Sequence, residues 1–371
     1  MTNLKVVTVV GTRPEIIRLS RLIPKLDKYT NHVLVHTGQN YDRQLNQVFF
    51  DDLELRPPDY FLNVEPTSFG TVMADTLKKS EEVFQAEKPH AVMILGDTNS
   101  AVAAVVAERM HIPVYHMEAG NRSFDGRVPE ELNRRMIDHV ASFNLPYNDY
   151  SLRNLLAEGI HPRFTCKTGS PMAEIFEHYK DRVAMSQILE KLGLFPMRYI
   201  LVSVHRQENV DRPDRLARVI ECLSELHRHT KLPLLVSTHP RTKARLESLG
   251  ISEVDGVEFH DPFGYFDYLK LQESAYCVVS DSGTISEESA VIGFPAVTLR
   301  DSMERPEALE SGSIMMTGLD PSSLVDAVDT VVNSPRSAVI PQGYDILDFS
   351  ERVMRFVMST ARLHKSWRNI A

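Results

Sequence analysis

The chain has 371 residues, 43% hydrophobic, 25% charged and 8% aromatic. That is too long for one ordinary core and too short for three, so two compact domains are expected, and disorder, collagen and coiled coil are excluded. Asp and Glu number 50 against 41 Lys and Arg, a formal charge of −9; tracking along nucleic acid or anionic lipid needs a cationic face, so any anionic ligand must be met by a local pocket.

The N-terminal MTNLKVVTVVGTRPE reads as a first β-strand broken at Gly11 rather than a signal peptide. No run approaches the roughly 20 apolar residues of a membrane span, and the expectation is a cytoplasmic protein without an anchor. Cys166, Cys222 and Cys277 are far apart and form no CxxC pair, which signals neither a disulfide framework nor a zinc knuckle. Strands are predicted at 4–10, 31–36, 90–95, 113–117, 143–147 and 164–168, then at 199–204, 233–237, 256–260, 275–279, 295–298 and 313–316. Helices are predicted at 68–86, 211–228 and 350–371, with a mostly helical link at 169–196. This alternation gives an α/β class with two Rossmann-like doubly wound domains, 1–170 and 171–349, followed by a terminal helix at 350–371. Two such units facing each other would put the carboxyl ends of both sheets on one central cleft, where ligands bind in these folds.

Several chemistries lack their usual parts. The first strand is followed by one glycine rather than GxGxxG, and the chain has no GxxxxGK[ST], HExxH, GxSxG or DxD. Chemistry must then rest on carboxylates, His and Arg, with no metal or cofactor expected.

Gly11-Thr12-Arg13-Pro14-Glu15, with Arg18 one turn on, forms an anion site where strand becomes helix; Gly11 permits the turn there. Asp97 ends the strand HAVMIL and could cap the next helix, while Glu118 ends the following strand and Glu130 lies on the next loop, so three carboxylates converge on one rim. Glu131 and Arg134 read as an exposed i,i+3 helix pair. In the second half, His205-Arg206 ends a strand and suits phosphate contact or proton transfer; His239 reads as structural. Ser282, Gly283 and Thr284 open a helix as a diphosphate cradle, Glu288 could accept ribose hydroxyls, and Arg305 follows the next strand. A nucleotide diphosphate held mainly by the second domain, with its appended group presented to the carboxylates of the first, fits these pieces.

Gly11-Thr12-Arg13-Pro14-Glu15, Gly96-Asp97-Thr98, Glu118-Ala119-Gly120, Pro129-Glu130-Glu131, His205-Arg206, Asp281-Ser282-Gly283 and Glu304-Arg305-Pro306-Glu307 resemble, in order and spacing, the non-hydrolysing UDP-N-acetylglucosamine 2-epimerases over residues 4 to 335. The resemblance implies a GT-B architecture, a UDP-sugar substrate, a homodimer, and a terminal helix that returns to the first domain. It matches Asp97, Glu118 and Glu130 to the catalytic carboxylates and His205 to the catalytic histidine. Arg13, Arg18, Ser282, Gly283, Thr284, Glu288 and Arg305 match nucleotide-sugar contacts, with Arg18 in place of Lys and Thr284 in place of a second Gly. Phe263 and Tyr268 fall where the family contacts uracil. The stretches 118–131, 203–209 and 237–242 look most similar to the branch making UDP-N-acetyl-L-fucosamine, for surface polysaccharide such as capsule or O-antigen, from UDP-2-acetamido-2,6-dideoxy-β-L-talose. Asn40 stands where many relatives have the His of a regulatory UDP-GlcNAc site. Rival readings are a UDP-GlcNAc/UDP-ManNAc 2-epimerase, a GT-B glycosyltransferase, a hydrolysing epimerase and a non-catalytic nucleotide-sugar binder.

Overall fold

The computed structural model describes residues 3–38, 49–238, 240–251, 253–335 and 339–368, and at 240–241 the backbone alone. Asn40 and His239 lie outside the described residues. The chain divides into unit 1, Met1–Ile175 with Asp345–Ala371, and unit 2, Phe176–Tyr344.

Unit 1 is built on a six-stranded parallel sheet of β1 (Lys5–Val10), β2 (Asn31–His36), β3 (Tyr60–Phe61), β4 (Ala91–Leu95), β5 (Val114–Met117) and β6 (Phe143–Leu145), in the order β3-β2-β1-β4-β5-β6. Register pairs Val7 with Val33 and Val92, and Val9 with Val35 and Ile94. All six of these side chains fall in one buried cluster with Val83, Phe84, Ala104 and Ile137 from the helices over that face. Successive strand residues point to opposite faces, so an uninterrupted apolar run is what a sheet covered on both sides requires.

Unit 2 repeats the plan with β7 (Ile200–Ser203), β8 (Leu234–Ser237), β9 (Val257–His260), β10 (Cys277–Ser280), β11 (Ala296–Thr298) and β12 (Met315–Met316), ordered β12-β11-β10-β7-β8-β9. Its strands split residue by residue between two cores: Ile200, Val202, Leu234, Val236, Cys277 and Val279 face one, and Leu201, Leu235 and Val278 face the other. In each sheet the strand order reverses once, between β1 and β4 and between β7 and β10. Those are the points where doubly wound sheets open to ligands.

The predicted helix at 68–86 is observed at Phe69–Glu87, capped by Ser68 Oγ, which accepts from Thr71 N at 3.1 Å; the one at 211–228 is observed at Pro213–Thr230. Two expectations are corrected. Residues 164–168 make one bridge, Thr165 with Asn144, and no strand; Pro146 beside them has no N–H to continue a ladder. The sixth strand of that sheet is instead β3, only two residues long and preceded by Pro57-Pro58, too short to show a period. The terminal segment forms two helices, Phe349–Thr360 and His364–Trp367. The longer one docks within unit 1 through Lys25 Nζ–Glu351 Oε2 at 3.0 Å, Tyr115 Oη–Thr360 Oγ1 at 2.6 Å and Phe356 edge-on to Tyr115 and Phe143. No described helix is long and apolar enough to cross a membrane.

Candidate active site

At the switch point of unit 1, β1 runs into Gly11 and the helix Arg13–Leu19. Glycine is required at 11 by close approach rather than by turn geometry: a Cβ there would sit 1.9 Å from Ser100 Oγ and 2.3 Å from Thr37 Oγ1. Thr12 caps the helix, and Glu15 closes the capping box. Glu15 does more than cap. Its Oε2 accepts from Gly11 N at 2.7 Å, Thr12 N at 2.7 Å and Thr12 Oγ1 at 3.0 Å, and its Oε1 accepts from Thr98 Oγ1 at 2.7 Å. The carboxyl therefore ties the loop after β1 to the loop after β4. Burial pushes it up to about 7 against those four donated bonds.

Asp97 follows Gly96, whose φ of +71° suits glycine. Asp97 is not the cap of the next turn; Thr98 is, accepting from Ser100 N at 3.3 Å. Asp97 Oδ2 instead lies 2.5 Å from Arg134 Nη2, and the same nitrogen lies 3.2 Å from Glu118 Oε1. Arg18 Nη1 pairs with Glu118 Oε2, and Arg134 Nη1 donates to the Glu118 carbonyl. Glu118 has φ of +62°, a left-handed conformation that a non-glycine residue adopts at a cost. These two arginines hold it there.

Arg134 corrects the expected exposed pair with Glu131. It is buried and meets the carboxylates, whereas Glu131 binds Arg135 Nε at 3.0 Å and Ser123 N at 2.7 Å. On the helix Pro129–Val140, Asn133, Arg134, Ile137 and Asp138 form the buried face, which turns 131 and 135 away. Glu130, half-buried on the first turn of that helix, lies outside the ion-pair cluster. Behind the site, Asp138 accepts from Gly120 N at 3.1 Å and lies 2.9 Å from His116 Nδ1, while His116 Nε2 sits 2.8 Å from the Gly96 carbonyl. Arg13, at the first helical position, lays its guanidinium 4.7 Å from the Phe49 ring centroid.

In unit 2, buried Asp281 at the end of β10 organises the loop after β7, accepting from His205 N at 3.1 Å, Arg206 N at 3.0 Å and Asn209 Nδ2 at 3.0 Å. The His205 ring stays exposed, with Nδ1 3.5 Å from Asp281. Ser282 Oγ and Thr284 Oγ1 are 2.9 Å apart at the start of the helix Ile285–Ile292, and Gly283 lies between them. Arg305 Nη1 sits 3.3 Å from buried Glu287. Glu288 accepts from Gln272 Nε2 at 2.6 Å. Tyr268 bonds Ser203, and its hydroxyl is pushed up by burial and by the Glu288 and Asp281 charges. Phe263 is tilted against His260, with ring centroids 5.7 Å apart.

Unit 1 thus brings Asp97, Glu118, Arg18 and Arg134 together, and unit 2 brings His205, Ser282, Gly283 and Thr284 to neighbouring strand ends. Sequence reasoning missed His116, the role of Glu15, and the roles of Asp138 and Arg134. For the last two the signal was present as an inward helix face shared with Ile137. No group of three or more His, Cys, Asp or Glu among the described residues is arranged to hold a metal ion.

The sequence model of a family described as UDP-N-acetylglucosamine 2-epimerase matches residues 25–357. A UDP-N-acetylglucosamine 2-epimerase of Methanocaldococcus jannaschii is 34% identical over 368 residues, covering 95% of this chain and 99% of that one. A UDP-2,3-diacetamido-2,3-dideoxy-D-glucuronate 2-epimerase of Pseudomonas aeruginosa is 32% identical over 333 residues, covering 88% and 92%. Among solved structures, the UDP-N-acetylglucosamine 2-epimerase of Rickettsia bellii superposes with a TM-score of 0.91 at 40% identity over 98% of both chains. The M. jannaschii UDP-GlcNAc 2-epimerase in complex with UDP-GlcNAc and UDP gives 0.91 at 32% identity, over 96% of this chain and all of that one. With the fold, the motifs and nearly the full length in agreement, this chain belongs to the UDP-N-acetylglucosamine 2-epimerase family and is a UDP-sugar 2-epimerase.

Proposed function

We propose that the chain inverts C2 of a UDP-2-acetamido sugar by eliminating and re-adding UDP. A C2 proton without a neighbouring carbonyl is not acidic enough for simple removal and return. In the elimination, a carboxylate takes that proton while the C1–O bond breaks, a C1–C2 double bond forms, and UDP departs from a 2-acetamidoglycal. Re-addition of UDP at C1 returns a proton to the other face of C2. Asp97 and Glu130 serve the two faces, Glu118 faces the positive charge developing at C1, and His205, Arg13 and Arg305 hold the departing diphosphate. The observation that carries this reading is the pair of carboxylates, Asp97 and Glu118, gathered on Arg134 Nη2 at 2.5 and 3.2 Å at a topological switch point. A pair so held is poised over one small volume, which acid–base work on adjacent carbons needs.

For the substrate we assign UDP-2-acetamido-2,6-dideoxy-β-L-talose, with UDP-N-acetyl-L-fucosamine as product, on the strength of the loops at 118–131 and 203–209. A second reading, UDP-GlcNAc, is favoured by the name of the M. jannaschii relative. Incubation of both sugars in D₂O separates the possibilities. Deuterium at C2 with UDP still attached is the expected result for the L-talo sugar; exchange in UDP-GlcNAc alone transfers the assignment to the second reading, and no exchange in either removes the epimerase mechanism. Asp97→Asn, Glu118→Gln and Glu130→Gln should each slow turnover by about 10²–10⁴-fold. Near-normal turnover in all three would sink the assignment of roles.

A further inference from the structure

Three guanidinium groups from two strand ends of unit 2 surround Gly283. A Cβ built on that glycine would lie 3.5 Å from Arg206 Nη2, 3.7 Å from Arg300 Nη1 and 4.0 Å from Arg305 Nε. Arg206 comes from the loop after β7, and Arg300 and Arg305 from the loop after β11. Such a concentration of like charge beside a helix N-terminus is unfavourable unless anions meet it. One carboxylate serves two of the three: Glu304 Oε1 accepts from Arg300 Nη2 at 2.7 Å and lies 3.5 Å from Arg206 Nη2.

Glu304 satisfies only one edge of Arg300. The residue is 4% exposed, and its Nη1, on the Gly283 side, is buried with no hydrogen-bond acceptor among the described residues. A buried guanidinium N–H without an acceptor is costly, and the geometry that fills it is an oxyanion seated over Gly283 between the Ser282 and Thr284 hydroxyls. We propose that Arg300 is a diphosphate ligand of this protein, and that Glu304 is its resident counter-anion, competing with the diphosphate for Arg206 and Arg300. The inference rests on the reading of the protein as a UDP-sugar enzyme and adds to it a binding residue and a competitor. Glu304 offsets the repulsion among the guanidinium groups, and it weakens the grip on the eliminated UDP, which must stay loose enough to re-add.

The experiment is a ligand-observed NMR titration of the full chain with UDP and with uridine, which lacks the diphosphate. Arg300→Met should raise the ratio of the UDP to the uridine dissociation constant by about tenfold or more, because charge-assisted bonds to the anion are lost while the base contacts stay. Glu304→Gln should lower that ratio. If Arg300→Met fails to fold, Arg300→Lys decides by the same ratio, with a smaller rise expected since its charge remains and its second donor edge is gone. An unchanged ratio in the Arg300 variant, or a raised one in Glu304→Gln, overturns the inference and leaves the proposed function standing. Failure of the wild-type chain to bind UDP at all overturns the functional reading itself.

Discussion

Gly11 follows β1 and Gly283 follows β10, strands that flank the switch points of their own sheets, and substitution separates what each glycine is for. Gly11→Ala forces a Cβ to within 1.9 Å of Ser100 Oγ, so it should destabilise the protein by about 2 kcal/mol in urea unfolding, as overpacking does. Gly283→Ala meets nothing closer than 3.5 Å. Its stability should stay within about 0.5 kcal/mol of wild type, while UDP binding weakens by about tenfold because the methyl group takes the room a phosphate oxygen needs. Equal UDP affinity in Gly283→Ala would remove that glycine from the anion seat. Glu15 yields a pH prediction. Its carboxyl rises from 4.5 to about 7 on folding, so between those values the folded state binds more protons than the unfolded state, and stability falls as pH increases through that window. Glu15→Gln cannot titrate. Urea midpoints at several pH values between 4.5 and 7 should therefore show a flatter profile for the variant, by up to about 3 kcal/mol across the window; identical profiles would mean that burial does not raise this group.

The elements divide by how locally they are specified. Long apolar runs such as KVVTVV and AVMIL, followed by turn residues, mark buried parallel strands without help from the rest of the chain. A two-residue edge strand at Tyr60–Phe61 has no period to detect and exists because β2 offers it a free edge, Val35 pairing with Tyr60 and His36 with Phe61. The converse holds at 164–168, where a strand-like composition meets Pro146 and makes a single bridge. The helix Phe349–Thr360 has an amphipathic pattern legible in the sequence, but its partner is a helix some 300 positions earlier, Leu22–Tyr29. Phe349, Val353 and Val357 are fully buried there, Phe349 edge-on to Tyr147. Phe349→Ala should therefore cost about 3–5 kcal/mol, as much as a cut within a sheet core. A urea midpoint equal to that of wild type would mean that the terminal helix is peripheral to unit 1.

Taken together, the two units are one architectural idea used twice, a six-stranded sheet with its reversal between the first and fourth strands in chain order. Hydrogen exchange offers a check on unit 2. UDP should slow amide exchange at 204–209 and 282–288, which carry the backbone donors around Asp281 and Gly283, and leave the opposite end of that sheet near 231–234 unchanged. Uniform slowing over unit 2 would indicate general stiffening instead of a local seat. The α/β class, the strands that carry Asp97, Glu118, His205 and Ser282, and the anion-binding helix starts were all readable from residue order, because periodicity and turn chemistry act over a few neighbours. The partners of those groups were not. Arg134 reaches Asp97 across 37 positions, Arg18 reaches Glu118 across 100, and Arg300 meets Gly283 only because β11 lies beside β10. Pairings of that kind depend on which strands become neighbours and which helix face turns inward. Those are fixed when the sheets assemble and their apolar faces are buried; local sequence can mark an inward face, as on the helix Pro129–Val140, but carries no record of the strand end that face will meet.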